Sequence, residues 1–387
     1  MNKPELHLQL LMDKLMQSAY NFALYRLPWT DEPILVFQKE GEIAQIDSLQ
    51  GLNGKEGFVF APFCPNAQHP VLLIKGDLYL HGWNNMMQAL SDFFSKDTLD
   101  RIFSQESAST AKKTDDTTED IVYQYPSEEE RKDQYIKAFN RFIEPLKNGS
   151  FEKLVLSRSA SYELSSNFSP IETFVTACNN YPRMMISLCH TSISGTWIGS
   201  TPEIILSGQH PNWQTVALAG TMAIQDEEIP SEWSPKNQKE QRIVSEYIQQ
   251  VLKSFKSKAT LKGPYTARAG HLVHLKTDFQ FKLKNADHLG DLLTALHPTP
   301  AVCGLPKEDA YQFILDHEGY DRSYYSGIIG WLNPNDITHL YVNLRCMHLS
   351  NKMTTLYAGG GILTSSNADA EWEETQIKMN TMRKCLC

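Results

Sequence analysis

Three consecutive glycines, Gly359, Gly360 and Gly361, stand between an apolar stretch and an acidic helical pattern near the end of the chain. Side-chain-poor positions in a row let backbone N–H groups approach an anion closely, and few folds tolerate them without such a reason. Ser366 and Asn367 are good N-caps, and from Ala368 the pattern is helical. On that helix Glu371, Glu374 and Lys378 share one face. A solvated, salt-bridged surface helix has the same spacing; the glycines tip the reading toward a carboxylate-bearing ligand.

The rest of the chain reads as strands and helices of a mixed α+β protein. Residues 4–26 fit a helix through Leu8, Leu11, Leu15, Ala19 and Phe22. Ile34–Phe37, Gly57–Ala61 and Val71–Lys75 read as short strands. Residues 104–118 are Ser, Thr, Lys and Asp with almost nothing to bury, which predicts a mobile loop. Asp133–Leu146 is helical, and in the strand Phe151–Tyr162 Lys153, Val155 and Ser157 share a face. Read alone, Lys153 fits an edge-strand lysine that guards against aggregation.

Glu203 lies immediately before an apolar strand, where burial raises a carboxyl pKa as a general acid at neutral pH requires. Val216–Ala219 is a strand opening into Gly220-Thr221, a place where a hydroxyl and a close backbone can meet a ligand. Lys236–Leu252 is helical and carries Glu240; His271–Leu283 is a strand carrying His274. Alone, the first is a surface acid and the second a structural hydrogen-bonding residue. His297 to Pro306 forms a rigid loop holding Ala301, and Glu318 with Arg322 predicts an i,i+4 ion pair. Leu340–Leu349 reads as one strand with Arg345 facing inward, where its planar fork needs an anion.

A formal charge of −9 without a clustered basic face argues against nucleic acid, and no apolar run approaches the ~18 residues of a membrane span. Glu5, Asp13 and Lys14 near the start do not follow the order of a secretory signal, so a cytoplasmic location is expected. The seven cysteines are odd in number and scattered, which predicts reduced thiols. Nothing demands a permanent partner, and a monomer is expected.

From Asp133 to Met382 the ordered series Lys153–Arg158, Gly199–Glu203, Leu218–Thr221, His297–Ala301, Asp321-Arg322, Tyr357–Ile362 and Glu371–Thr375 resembles the chorismate-utilising enzymes, most closely the isochorismate synthases. The resemblance implies a single fold of large antiparallel sheets flanked by helices. Residues 1–120 would be its N-terminal part and 121–387 the chorismate-binding catalytic region. It further implies Mg²⁺-dependent addition of water at C2 of chorismate with loss of the C4 hydroxyl. Lys153 matches the general base, Glu203 the general acid, and Glu240 with Glu374 the magnesium ligands, oxygen donors that suit a hard cation. Arg345 and Gly359–Gly361 match the site of the enolpyruvyl carboxylate, and Gly220, Thr221, His274, Ala301 and Lys378 match pocket positions. The chain departs from the family around Glu240, where Pro235–Arg242 replaces a more acidic, histidine-containing stretch, and at Gly360, where alanine is expected.

Three positions discriminate within the family. Ammonia-using anthranilate synthases have glutamine where this chain has Lys153, and aminodeoxychorismate synthases have a nucleophilic lysine where it has Ala219. Salicylate synthases, which go on to eliminate pyruvate, tend to have threonine at the place of Ala301. Lysine and two alanines favour water as nucleophile and release of isochorismate. The alternatives are a salicylate synthase and a non-catalytic chorismate-binding protein, although a binder has no need of both proton-transfer groups and both metal ligands.

Overall fold

The computed structural model describes residues 1–99, 126–224, 232–270, 272–350 and 352–387; the loop expected at 104–118 lies outside them. Two nine-stranded sheets make up the fold, and their neighbouring strands pair antiparallel throughout. In the first, the strands run across the sheet as Gly304–Leu305, Lys153–Glu163, Met353–Ile362, Cys346–Ser350, Gly195–Thr201, Met185–Thr191, Asn21–Arg26, Ile34–Gln38 and Leu78–His81. In the second the order is Thr260–Ala269, Leu272–Lys282, Asn212–Ala223, Ile204–Gln209, Thr338–Val342, Ile328–Leu332, Gly57–Ala61, Val71–Ile74 and Ala44–Ile46.

Alternation along the strands explains the layering. Ala23 and Tyr25 of the first sheet join Phe58 and Phe60 of the second in one apolar cluster between the sheets. Their alternates turn outward. Phe22 and Leu24 pack with Leu8, Leu11, Phe174 and Met379 of the helices Leu6–Leu15, Pro170–Asn180 and Ala368–Arg383. Val59 and Ala61 pack with Val244, Ile248 and Leu293 of the helices Pro235–Ser254 and Leu289–Leu296. With both faces covered, each large apolar side chain withdrawn from water stabilises the fold by roughly 1.5–3 kcal/mol. Among the described residues no helix is long and apolar enough to cross a membrane.

Helix starts follow their caps. Ser127 and Glu130 form a reciprocal capping box, Ser234 caps a helix with Pro235 in its first turn, and Asn367 accepts from Ala370 N–H. The N-terminal reading needs correction: the helix ends at Leu15, and Asn21–Arg26 is a strand. All six of its residues are buried, so polar alternation is missing and the apolar spacing mimics a helix. The expected strand Leu340–Leu349 is likewise two strands, Thr338–Val342 and Cys346–Ser350, which belong to different sheets.

Candidate active site

Two chain segments cross from sheet to sheet side by side. One runs through Pro202-Glu203 between the strands Gly195–Thr201 and Ile204–Gln209; the other runs through Asn343–Arg345. Hydrogen bonds lace them together: Ser200 N–H to Arg345 O at 3.2 Å, Thr201 Oγ1–H to Val342 O at 2.6 Å, and Val342 N–H to Glu203 O at 2.9 Å. Arg345 is therefore no mid-strand residue, as the sequence suggested. It sits at a turn with φ of 45°, in the left-handed region that a side chain rarely adopts.

A cavity opens beside these crossings. Glu203, Gly220, Thr221, Glu240, His274, Ala301, Arg345, Gly359, Gly360, Gly361 and Lys378 all line it. Lys153 and Glu374 do not line it and stand just behind the glycines. Pro202, from the Gly199–Glu203 stretch, also contributes, as do Tyr325 and Leu344, which nothing in their sequence context marked.

Glu203 is buried, and that burial pushes its carboxyl up to about 7, against the opposing pull of Lys153 and Arg345. Arg345 is buried as well, which lowers its guanidinium to about 10. Its donors reach Met184 Sδ, Ala269 O and His274 Nε2, none of them an acid. His274 Nδ1 lies 3.0 Å from Gly220 O, so Nδ1 carries the proton and Nε2 accepts from the guanidinium. Burial, reinforced by Arg345, holds this imidazole well below its ordinary pKa and hence neutral. Gly220 presents its carbonyl from a bulge, with φ of 76°, opposite the Leu272–Lys282 strand.

The glycine triplet lies inside the strand Met353–Ile362 rather than after it, paired with Val155–Ser157. Pairing with Cys346–Ser350 on the other edge ends at Leu356. Lys378 Nζ donates to Gly359 O at 2.8 Å, so Gly359 and, by alternation, Gly361 turn their backbone polar groups to that free edge. The missing side chains matter as much. A Cβ on Gly359 would meet Ser157, one on Gly360 would stand 3.2 Å from Glu371 Oε2, and one on Gly361 would overlap Glu240 and Lys153.

Behind Gly361, Lys153 is fully buried and is no edge guard; its Nζ stands 2.9 Å from Glu240 Oε1. The contact lies outside hydrogen-bonding angles, so it is an ion pair rather than a directed bond. Burial pushes the Glu240 carboxyl up, but Lys153, Lys236 and Lys378 outweigh it and hold the group below its ordinary value. On the far side of Gly360, Glu374 Oε1 is 2.7 Å from Lys378 Nζ, and Glu371 pairs with Lys236.

Glu240, Glu371 and Glu374 are oxygen donors of the kind a hard cation takes, although among the described residues no three or more His, Cys, Asp or Glu are grouped as a metal site. Glu371 Oε2 is buried with no partner among the described residues, and burial together with neighbouring Glu374 pushes its carboxyl up against the opposing pull of Lys236. Glu240 and Glu374 would hold the ion, with Glu371 beside them. Glu371 was legible only as a member of the helical face it shares with Glu374; its burial was not. The ion pair of Glu318 with Arg322, expected from spacing, is present at 2.6 Å and ties Ser157 to the same wall.

A family model described as chorismate binding enzyme matches residues 74–387, and the chain belongs to this family. Over 196 residues it is 31% identical to isochorismate synthase EntC of Escherichia coli K12, covering 49% of this chain and 50% of that protein. It is 31% identical over 264 residues to chloroplastic isochorismate synthase 2 of Arabidopsis thaliana, covering 65% and 47%. The chain thus spans about half the length of the curated relatives it matches. In fold it is similar to MenF, the menaquinone-specific isochorismate synthase of Escherichia coli, with TM-score 0.72, 22% identity and coverage of 100% and 92%. Anthranilate synthase component I of Streptococcus pneumoniae gives 0.64 at 19% identity, covering 94% and 92%.

Proposed function

We propose that the chain is an isochorismate synthase that converts chorismate to isochorismate, with Mg²⁺ as its cofactor. The observation that carries this reading is Lys153, held in full burial behind Gly361 where ammonia-using relatives have glutamine. As general base it takes a proton from the water that forms the new bond at C2. Glu203 gives its proton to the C4 hydroxyl, which leaves as water while the ring double bond shifts. Arg345, with no acid among its hydrogen-bond partners, receives the enolpyruvyl carboxylate, and neutral His274 fixes the guanidinium's position. Ala301, Thr221, Gly220 and the backbone of Gly359–Gly361 close around the ligand, and Lys378 braces that strand. Glu240 and Glu374 would hold the Mg²⁺, which would supply Lewis-acid stabilisation of carboxylate charge on the substrate.

Purified protein incubated with chorismate and Mg²⁺ is expected to form isochorismate without pyruvate, by NMR and a pyruvate assay, and to stop with EDTA. Salicylate with pyruvate would assign it instead to salicylate synthesis. No conversion would leave a chorismate-binding protein.

Glu203 sets the pH dependence. The proton donor must be protonated, and its carboxyl titrates near 7 because burial raises it. The expected kcat/KM therefore falls roughly tenfold per unit above about pH 7, the alkaline limb that Glu203 sets. Glu203→Gln should lower the rate by at least ~10²-fold and remove that limb. A falling limb that survives the substitution would assign the proton to another group.

A further inference from the structure

Four arginines are buried among the described residues, Arg26, Arg158, Arg322 and Arg345, and a buried guanidinium is costly unless its charge and donors are met. Arg26 is met by the carbonyls of Leu27, Cys178, Tyr181 and Pro182. Arg322 is met by Glu318. Arg345 opens on the reaction cavity. Arg158 has no such explanation. Its Nε and Nη2 go to the neutral acceptors Thr375 Oγ1 at 2.6 Å and Gln376 Oε1 at 2.5 Å, and its plane lies over Trp372 at 3.8 Å. Nη1 is buried with no partner among the described residues, and so is Tyr135 Oη.

Both residues line a recess of about 330 Å³ between the helix Glu128–Lys147 and the strand Lys153–Glu163, and no residue lines both this recess and the reaction cavity. That volume is of small-molecule size. Arg131, Lys137 and Arg141 add positive charge, while Glu318, the acid on this wall, is already engaged by Arg322. On a chain of formal charge −9 this is a local reversal of sign.

We propose that this recess is a second binding site, for a small molecule bearing a carboxylate or phosphate that pairs with the guanidinium of Arg158 and with the charges of Arg131, Lys137 and Arg141 around it. Such an oxyanion neutralises the stranded guanidinium, the role proposed above for the substrate carboxylate at Arg345. Through Thr375 and Gln376, Arg158 holds the helix Ala368–Arg383 beside Glu374 and Lys378. Occupancy of the recess therefore touches the helix that carries Glu374 and Lys378.

Titration calorimetry of the full chain at constant ionic strength, with inorganic phosphate in one arm and malonate in the other, tests this without reference to turnover. Saturable binding is expected in at least one arm, and the arm that binds identifies the group. Lys137→Glu combined with Arg141→Glu, both exposed and outside the core, should weaken binding by at least about tenfold, and Arg158→Gln should do the same. Arg345→Gln should leave it unchanged. The proposal is overturned by the absence of saturable heat with both probes, by equal affinity in the charge-reversed protein, or by loss in Arg345→Gln alone.

Discussion

Lys153→Ala is expected to lower kcat by at least ~10²-fold, the usual worth of a positioned proton-transfer group, and to destabilise the fold as well. The second effect comes from Glu240. With Lys153 Nζ 2.9 Å away, that buried carboxylate has its close counter-charge, and truncating the lysine leaves it without one. Removing one partner of a buried pair costs several kcal/mol; because Lys236 and Lys378 also act on Glu240, the lower end, ~3 kcal/mol, is expected. Denaturant unfolding and steady-state kinetics on the single variant and on Lys153→Ala with Glu240→Gln separate the effects. The double variant should recover stability, since glutamine is neutral, and recover no activity. A single variant that turns over within about tenfold of the parent would remove Lys153 from the mechanism.

Gly361→Ala is the smallest change with a comparable expected effect. An added Cβ would stand 2.1 Å from Glu240 Oε1 and 2.8 Å from both Glu240 Cδ and Lys153 Cε, distances that force the pair to move. Displacing reacting groups by about an ångström costs on the order of 10²-fold, so kcat should fall by that amount while the strand, with ordinary backbone angles at this position, stays paired. Gly360→Ala is the control. Its Cβ would meet Glu371 Oε2 at 3.2 Å, a contact that needs a shift of only tenths of an ångström, and a loss below about tenfold is expected. Equal losses at the two positions would show that the triplet serves backbone flexibility rather than space.

That distinction was hidden in the sequence. Three glycines announce that something comes close, and the reading assigned the approach to backbone N–H groups; the structure shows, in addition, side chains from Glu240, Lys153, Glu371 and Ser157 filling the vacated space. Strands with a polar-to-apolar boundary, such as Gly57–Ala61, were legible to the residue. Asn21–Arg26 was not, because burial on both faces erases the period on which the reading depends. Helical faces were recovered well, Glu371, Glu374 and Lys378 among them, since spacing alone determines a face. What spacing cannot report is depth: Glu240 read as a surface acid and Lys153 as an edge lysine, yet both are buried. Arg345 failed for a related reason. A left-handed position filled by arginine rather than by glycine or asparagine leaves no mark in the sequence.

The paired crossings give the molecule a mechanical property. Glu203 and Arg345 ride on neighbouring segments that leave one sheet and enter the other, bonded to each other along the way. Any slippage of one sheet over its partner must shear this seam, so the spacing between Glu203 and Arg345 is geared to the registration of the whole sandwich. Wear anywhere in the apolar layer between the sheets would then surface as a mistimed reaction before it surfaced as a melted protein.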